Sequence, residues 1–347
     1  MGKMADFFID TDTASTQLPQ NNRPKMFMFG IPSYTNMGDQ AVSLAARIFF
    51  EKEFSNYQYI EIMDYDNNAG IEAVKKIITK QDIVGYVGGG NMGSLYTDIE
   101  EDRRAVFSTF TSNLTISFPQ SIHFEKTAYG EKEKQLSQEA YGKNHNLVLL
   151  ARDAQSYRRM QKTFENKVVF IPDMVLYLKP TDFKFKRTGA LFILRHDGEK
   201  ILDESFIESL RMILKKRYSL DRTDTVLKMP TRITPITRAR LFEEQLQKIA
   251  RQELIISDRF HAMVFSVLTQ TPCLLFGNSY GKGKHAYYDW LENISWIKYS
   301  DERDITRIGR EIEAITSAQT HSYDLQPNFR PLRQIIVNYI AAVATLR

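Results

Sequence analysis

The sequence has little cysteine, no long hydrophobic run and no large excess of either charge. Its one cysteine, Cys273, lies in the apolar run TPCLLF, so an intramolecular disulfide and a zinc–thiolate cluster are excluded. The net charge is +4 without a basic stripe, which argues against a nucleic-acid partner. The most apolar late segment, IIVNYIAAVATL, is interrupted by Asn338 and is too short to span a bilayer. We therefore expect a soluble cytoplasmic protein without a signal peptide.

Several signatures of well-known chemistry are also missing. The glycines at 88–90 have the wrong spacing for a Walker loop or a dinucleotide fingerprint. A serine-hydrolase GxSxG elbow is absent. The six histidines are scattered without ligand spacing, so we predict neither a metal site nor a resident cofactor.

What is present is a regular alternation of short β-rich runs with helical patterns, typical of a parallel sheet covered on both faces. The polar stretch Lys179–Gly189 interrupts this alternation and marks a candidate boundary. We predict an α/β fold of two Rossmann-like, doubly wound domains that face each other across a GT-B-like cleft. The predicted limits are a polar leader at 1–24, domains at 25–180 and 181–330, and a C-terminal helix at 331–347.

Four elements of this prediction are specific enough to be checked individually. The first helix is expected to begin at Gln40, and the glycines at 88–90 to mark the end of a strand at Ile83–Val87. A strand is expected at Thr225–Lys228 and a helix near Ala286–Glu292. Ligands of doubly wound sheets bind beyond the carboxyl ends of the strands, so polar residues that follow strands are the candidate site.

In the second half, the segment IISDRFHAMVFSVL places Arg259 and His261 in the first turn of a helix that follows a strand. A helix N-terminus favours an anion, the guanidinium adds a bidentate contact, and the imidazole can exchange a proton near neutral pH. The alternative interpretation is a surface ion pair between Arg259 and Asp258, with His261 packed on the helix.

One strand later, LLFGNSYGKGKHAYYDWL offers Lys282 as a mobile cation and Asn278 and Ser279 as neutral hydrogen-bonding groups. A glycine- and lysine-rich loop of this kind is otherwise an ordinary turn. Further candidates follow other predicted strands, and for each the alternative is a structural or solvated side chain; Asp39, for example, is also a candidate helix cap. These candidates are Asn36, Asp39, Gly89, Gly90, Asn91, Gln120, Ser121, Arg152 and Arg195.

Taken in order along the chain, these segments resemble the polysaccharide pyruvyl transferase family. The matching stretches are TNMGDQA, GGGNMGSLY, FPQSIHF, ARDAQSY, IPDMVLYL, SDRFHAMVFSVL and GNSYGKGKHAYYDWL. The resemblance implies phosphoenolpyruvate as the donor substrate and a saccharide as the acceptor, which in this family is often lipid-linked at the inner face of the membrane. It also implies a cyclic pyruvate ketal as the product, and an enzyme that is peripheral to that membrane face.

By position, Arg259 and His261 match the Arg-x-His of the family's donor site. Arg152 matches the Arg of the family's Arg-Asp segment, and Lys282 matches the Lys of its Asn-Ser-Tyr-Gly-Lys loop. The match between Arg195 and a family residue is less direct. The family chemistry implies that His261 supplies a proton while the cations hold the donor's carboxylate and phosphate. The first domain is expected to bind the acceptor and the second the donor.

Two other functions remain open from the sequence. A glycosyltransferase with two such domains would bind a nucleotide sugar, with an acidic or amide group for the ribose; the sequence offers Asp289 and Glu292, both on a predicted helix surface. A catalytically silent sugar-binding protein is the third possibility. The presence of both Arg259 and His261 favours pyruvyl transfer over this last role.

Overall fold

The computed structural model describes residues 18–228, 232–277, 281–321 and 323–345, and within these ranges the chain forms two parallel β-sheets. The strands of the first sheet run in the order β2-β1-β3-β5-β6-β7, and β4 pairs with β5. Their bounds are β1 Lys25–Ile31, β2 Gln58–Met63, β3 Ile83–Tyr86, β4 Gly89–Gly93, β5 Thr115–His123, β6 Leu147–Ala151 and β7 Lys167–Phe170. Every residue of β1 is buried, because helices cover both faces of the sheet.

The helices of the first half are α1 Met37–Glu53, α2 Asn67–Lys75, α3 Thr97–Thr109, α4 Ala128–Gly142 and α5 Ala154–Thr163. Helix α1 begins three residues before the predicted start at Gln40. The reason is a side-chain cap, since the Asn36 carboxamide oxygen accepts a hydrogen bond from the Gly38 N–H at 3.0 Å. Asn36, and not Asp39, is therefore the cap of this helix.

Two elements of the first half were missed by sequence reasoning. The glycines were predicted to end a strand, but Gly89 and Gly90 begin a further strand, β4, which pairs with β5. Helix α4 lacks an apolar stripe: its buried positions are Gly130, Glu133, Ser137 and Tyr141, at helical spacing but mostly small or polar. Hydrophobic periodicity cannot detect a helix whose inner face is polar.

The second sheet has the strand order β12-β11-β10-β8-β9 within the described residues. Its strands are β8 Ala190–Ile193, β9 Leu220–Thr223, β10 Leu254–Ser257, β11 Cys273–Phe276 and β12 Ile297–Ser300. The helices of this half are α6 Glu204–Leu214, α7 Pro235–Ala250, α8 Phe260–Leu268, α9 Lys282–Ala286, α10 Ile305–Ser317 and α11 Arg330–Ala344. Both sheets are doubly wound, so the predicted fold class is confirmed.

The predicted strand at Thr225–Lys228 is wrong, because β9 ends at Thr223. The segment instead crosses to the first half of the chain. The Met37 N–H donates to the Thr225 carbonyl at 2.9 Å, and the Leu227 N–H donates to the Thr35 carbonyl at 3.0 Å. The local sequence pattern predicts an extended segment. It does not show whether that segment pairs with its own sheet or with a distant loop.

The helix predicted near Ala286–Glu292 is displaced toward the N-terminus. Helix α9 begins at Lys282 and continues into a wider π-helical turn at Tyr287–Leu291. Lys282 therefore lies on the first turn of a helix, and not in the loop before it.

No helix in the described part of the chain is long and apolar enough to cross a membrane.

The two halves share an extended interface. Helix α7, from the second half, packs on α1, and the fully buried Arg238 of α7 forms an ion pair with Glu61 of β2 at 2.8 Å. Helix α11 returns to the first half, where the Tyr339 hydroxyl donates to the Lys80 carbonyl at 2.7 Å. The predicted domain limits remain a prediction, but each sheet lies within one of the two predicted segments.

Candidate active site

A cavity of about 430 Å³ lies where the carboxyl ends of the two sheets face each other. In each sheet the strand order reverses beside it: between β1 and β3 in the first, and between β8 and β10 in the second. The loops after these strands therefore reach the cavity. Of the predicted site residues, those that line it are Asn36, Asp39, Gly90, Asn91, Arg152, Arg195, Arg259, His261 and Lys282.

Three predicted residues do not line the cavity. Gly89 precedes the lining residue Gly90 on β4, and Gln120 is buried with its Nε2 donating to the Val87 carbonyl at 2.8 Å. The Ser121 hydroxyl accepts a hydrogen bond from Arg152 Nε at 2.9 Å. The prediction of direct substrate contact is thus corrected for Gln120 and Ser121, since both brace the cavity wall from behind. Asn278 and Ser279 lie outside the described residues.

His261 lies in the first turn of α8, with its side chain pressed against the start of α1. A Cβ added at Gly38 would lie 2.1 Å from His261 Nδ1, so only a glycine there leaves room for the imidazole. On its other side, His261 Nε2 lies 3.6 Å from Asp173 Oδ2, within ion-pair distance. The imidazole is therefore held between a backbone turn and a carboxylate.

Asp173 is a site residue that sequence reasoning missed, although it stands in the segment IPDMVLYL. Its side chain is 2% exposed and accepts a hydrogen bond from Arg152 Nη1 at 2.7 Å. Burial favours the neutral acid, but the His261 imidazole and the Arg152 guanidinium outweigh it and hold the pKa of Asp173 well below its ordinary value. Asp173 is consequently an ionised carboxylate that pairs with Arg152 beside His261.

The cavity brings cations from both halves of the chain together. A Cβ added at Gly90 would lie 2.7 Å from Arg152 Nη2 and 3.4 Å from Lys282 Nζ, so the bare glycine backbone lets both side chains approach. Lys282 Nζ donates to the Gly90 carbonyl at 2.9 Å. Burial exceeds the effect of the neighbouring Glu199 and lowers the pKa of Lys282 below its ordinary value.

Two carboxylates from the loop after β8 already occupy this cationic region. Asp197 forms ion pairs with Arg259 at 2.8 Å and with Arg195 at 3.1 Å. Glu199 pairs with Arg195 at 2.5 Å and with Lys282 at 3.3 Å. Burial works to raise the pKa of Glu199, but Lys282 and Arg195 outweigh it and the pKa is lowered. Sequence reasoning singled out neither carboxylate, although both lie in LRHDGEK.

Two further carboxylates lie behind Arg259 and Arg195, and one of them, Asp224, was not indicated by the sequence. The Asp224 carboxylate accepts hydrogen bonds from Arg259 Nε at 2.7 Å and from Arg259 Nη2 at 2.8 Å. This pair of bonds fixes the plane of the guanidinium. Asp258 accepts the Arg195 N–H at 2.9 Å, and burial raises the pKa of its carboxyl to about 6. The surface pairing of Arg259 with Asp258 considered from the sequence is therefore replaced by a pairing with Asp224.

The first-half wall of the cavity differs from this charged wall. Tyr34 and Tyr96 line it with 38% and 44% of their surface exposed, so two phenol side chains are accessible to a ligand. Asp39 Oδ2 accepts a hydrogen bond from Asn36 Nδ2 at 2.8 Å. Aromatic groups beside a carboxylate and amides are suited to a neutral ligand with hydroxyl groups. No group of three or more potential metal ligands occurs within the described ranges.

These features define a class: a two-domain α/β protein of the GT-B-like type, with a cationic pocket in the cleft between its domains. Comparison with known proteins gives the family. The model of the polysaccharide pyruvyl transferase family matches residues 36–280, and the chain belongs to this family.

Two relatives and one solved structure are similar to most of this chain. General stress protein 30 of Bacillus subtilis is 48% identical over 312 residues, which cover 90% of this chain and 91% of that protein. Pyruvyl transferase 1 of Schizosaccharomyces pombe is 27% identical over 290 residues, covering 78% of this chain and 71% of that protein. The crystal structure of a functionally uncharacterized Klebsiella pneumoniae protein superimposes with a TM-score of 0.57 at 16% identity. The superposition covers 80% of this chain and 93% of that chain. At this identity the likeness shows the fold alone.

Proposed function

We propose that the protein transfers the pyruvyl group of phosphoenolpyruvate to a saccharide of an exopolysaccharide or cell-wall glycan precursor, forming a cyclic pyruvate ketal and releasing phosphate. Family membership supports pyruvyl transfer to a polysaccharide. The observation that carries the choice of donor is the convergence of four cations from both halves around the His261–Asp173 pair. A small molecule with both a carboxylate and a phosphate matches this arrangement.

The proposed donor lies against the second-half wall. Arg259 approaches it with a guanidinium whose plane is fixed by Asp224, and Arg152 approaches from the first half beside Gly90. Asp197 and Glu199 must release their ion pairs before a dianion can take their place. The donor and the loop carboxylates therefore compete for the same cations.

His261 is the proposed general acid. Protonation of the donor's C3 leaves C2 electron-poor, and one acceptor hydroxyl adds its oxygen there. The C2–O bond to phosphate then breaks, a second hydroxyl of the same sugar adds to C2, and the ketal closes. The two hydroxyl protons balance the proton consumed at C3 and the one that leaves with phosphate. The Asp173 carboxylate, 3.6 Å from His261 Nε2, lies beside the imidazole that would donate the proton.

Glycosyl transfer from a nucleotide sugar is the runner-up function, since the same fold serves it. Neither acidic group that the sequence offered for a ribose, Asp289 or Glu292, lines the cavity. Asp289 Oδ2 instead accepts the Ala154 N–H at 2.7 Å and holds the start of α5. Asp289 is thus already used for a structural contact.

The proposal is tested first by measuring ligand binding and then by detecting the reaction product. In a thermal-shift assay, phosphoenolpyruvate should raise the melting temperature, whereas UDP and GDP should not. Incubation with labelled phosphoenolpyruvate and a panel of lipid-linked and 4-nitrophenyl glycosides should then give phosphate and a ketal of the expected mass. The proposal would be overturned if only a nucleoside diphosphate stabilised the protein and the corresponding nucleotide sugar served as a glycosyl donor.

A further inference from the structure

A buried arginine outside the cavity contacts a residue that lines it. Arg103 of α3 is fully buried, and its Nη2 donates a hydrogen bond to Asn91 Oδ1 at 2.6 Å. Asn91 belongs to the cavity wall, whereas Arg103 does not. The direct contact between Arg103 and the cavity wall is therefore its hydrogen bond to Asn91.

The guanidinium of Arg103 is held firmly by the groups behind it. Its Nη1 pairs with Glu100, a fully buried carboxylate that also accepts hydrogen bonds from the Tyr141 hydroxyl at 2.6 Å and the Ser137 hydroxyl at 2.7 Å. Burial alone would lower the pKa of Arg103, but Glu100 and Tyr141 outweigh it and raise the pKa. Arg103 is therefore a fixed, charged donor that helices α3 and α4 hold in place.

This contact determines which edge of the Asn91 amide faces the ligand. A guanidinium can only donate, so the amide oxygen must point to Arg103 and the amide NH2 must point away from it. Nothing in the described part of the chain accepts a hydrogen bond from Asn91 Nδ2. A Cβ built on Gly89 would lie 3.9 Å from Asn91 Nδ2 and 3.6 Å from Asp39 Oδ1. Gly89 leaves this space open, with a donor on one side and an acceptor on the other.

A sugar hydroxyl is the group that satisfies both sides, because it accepts from an amide N–H while donating to a carboxylate. Ionised phosphoenolpyruvate has acceptors only and would be repelled by Asp39. We propose that Arg103 is a positioning residue for the acceptor: it orients Asn91 so that the amide, together with Asp39, binds an acceptor hydroxyl. This inference rests on the proposed function and assigns the substrate that this wall recognises.

The test separates acceptor binding from donor binding in the full-length protein. The probe acceptor is the 4-nitrophenyl glycoside that the wild type converts fastest. Arg103→Met and Asn91→Leu should each raise the acceptor KM about 10-fold, as expected for one lost hydrogen bond, and leave the KM for phosphoenolpyruvate within about twofold. Arg103→Lys should recover part of the loss. The double variant should be no worse than either single variant, because both remove the same contact.

Arg104→Met is the matched control, because Arg104 is the next residue on α3, is also buried, and pairs with Glu133 at 2.8 Å away from Asn91. It should lower the melting temperature without changing either KM. The inference fails if Arg103→Met keeps the wild-type acceptor KM, or if Arg104→Met raises it equally. Where Arg103→Met does not fold, Asn91→Leu decides alone. Failure of the proposed function looks different, since the wild type itself would then form no ketal.

Discussion

At the residue scale, neighbouring groups hold the key side chains of the site in fixed positions. His261 is bounded by the Gly38 backbone on one side and by the Asp173 carboxylate on the other. Arg259 is held in plane by Asp224, and Arg152 by Asp173 and Ser121. A cation whose position is fixed before a ligand binds loses little side-chain entropy on binding, so preorganisation favours the transition state.

The first prediction concerns the general acid. His261→Ala should lower kcat by roughly 10²–10⁴-fold, because the proton for the donor's C3 then has to come from water. Phosphate release at saturating donor and acceptor measures the loss. His145→Ala, at an exposed position of the first half, is the control and should keep wild-type turnover. Turnover near that of the wild type in the His261 variant would exclude this histidine from the chemistry.

At the scale of elements, the loop after β8 is the part of the site that must rearrange. Asp197 and Glu199 are separated from Arg195 by only two and four residues, so the loop folds back on the cation at its own start. Glu199 also reaches the opposite wall, since the Tyr96 hydroxyl donates to it at 3.3 Å. In this arrangement the loop supplies the negative charge that the proposed donor would otherwise bring.

The second prediction follows from this competition. Glu199→Gln should tighten the binding of inorganic phosphate and phosphoenolpyruvate about fivefold, because a neutral amide competes less for Lys282 and Arg195. Isothermal titration gives both dissociation constants. Glu204→Gln, an exposed residue shortly after the loop that pairs with Lys200, serves as the control and should change neither. Weaker phosphate binding in Glu199→Gln would mean that the carboxylate orders the cations and does not compete with the ligand.

At the scale of the whole molecule, the two halves are joined by buried contacts. Arg238 of α7 pairs with Glu61 and also donates from Nε to Gln40 Oε1 at 2.8 Å. Gln40 in turn donates to the carbonyls of Pro32 and Tyr34, which lie in the loop that lines the cavity. The contact between the halves therefore also holds one wall of the site.

The third prediction measures this interface. Arg238→Met should lower the free energy of unfolding by about 3–5 kcal/mol, because it leaves the Glu61 carboxylate buried without its partner. Urea denaturation of both proteins gives the difference. Arg240→Met removes an exposed pair with Glu244 two residues along the same helix and should cost no more than about 0.5 kcal/mol. Equal losses in the two variants would show that the buried pair adds nothing to stability.

The sequence predicted the fold class and most of the cationic residues because both depend on local signals. Alternating strands and helices are visible within a short window, and the ends of parallel strands meet at one edge of a sheet. Arg152, Arg195, Arg259 and Lys282 each follow a strand, so their convergence on one cavity was predictable without knowing any partner. Family likeness added the donor and the proposed role of His261.

Only the tertiary structure decided what these residues contact. Asp173 lies 21 residues from Arg152 and Gly90 lies 192 residues from Lys282, so no local pattern links either pair. The same holds for the Thr225 segment that pairs with the first half, and for Arg103, whose effect on the cavity depends on the Asn91 amide. For these pairs the distance along the chain carries no information about which groups will meet, because packing of the assembled elements brings them together.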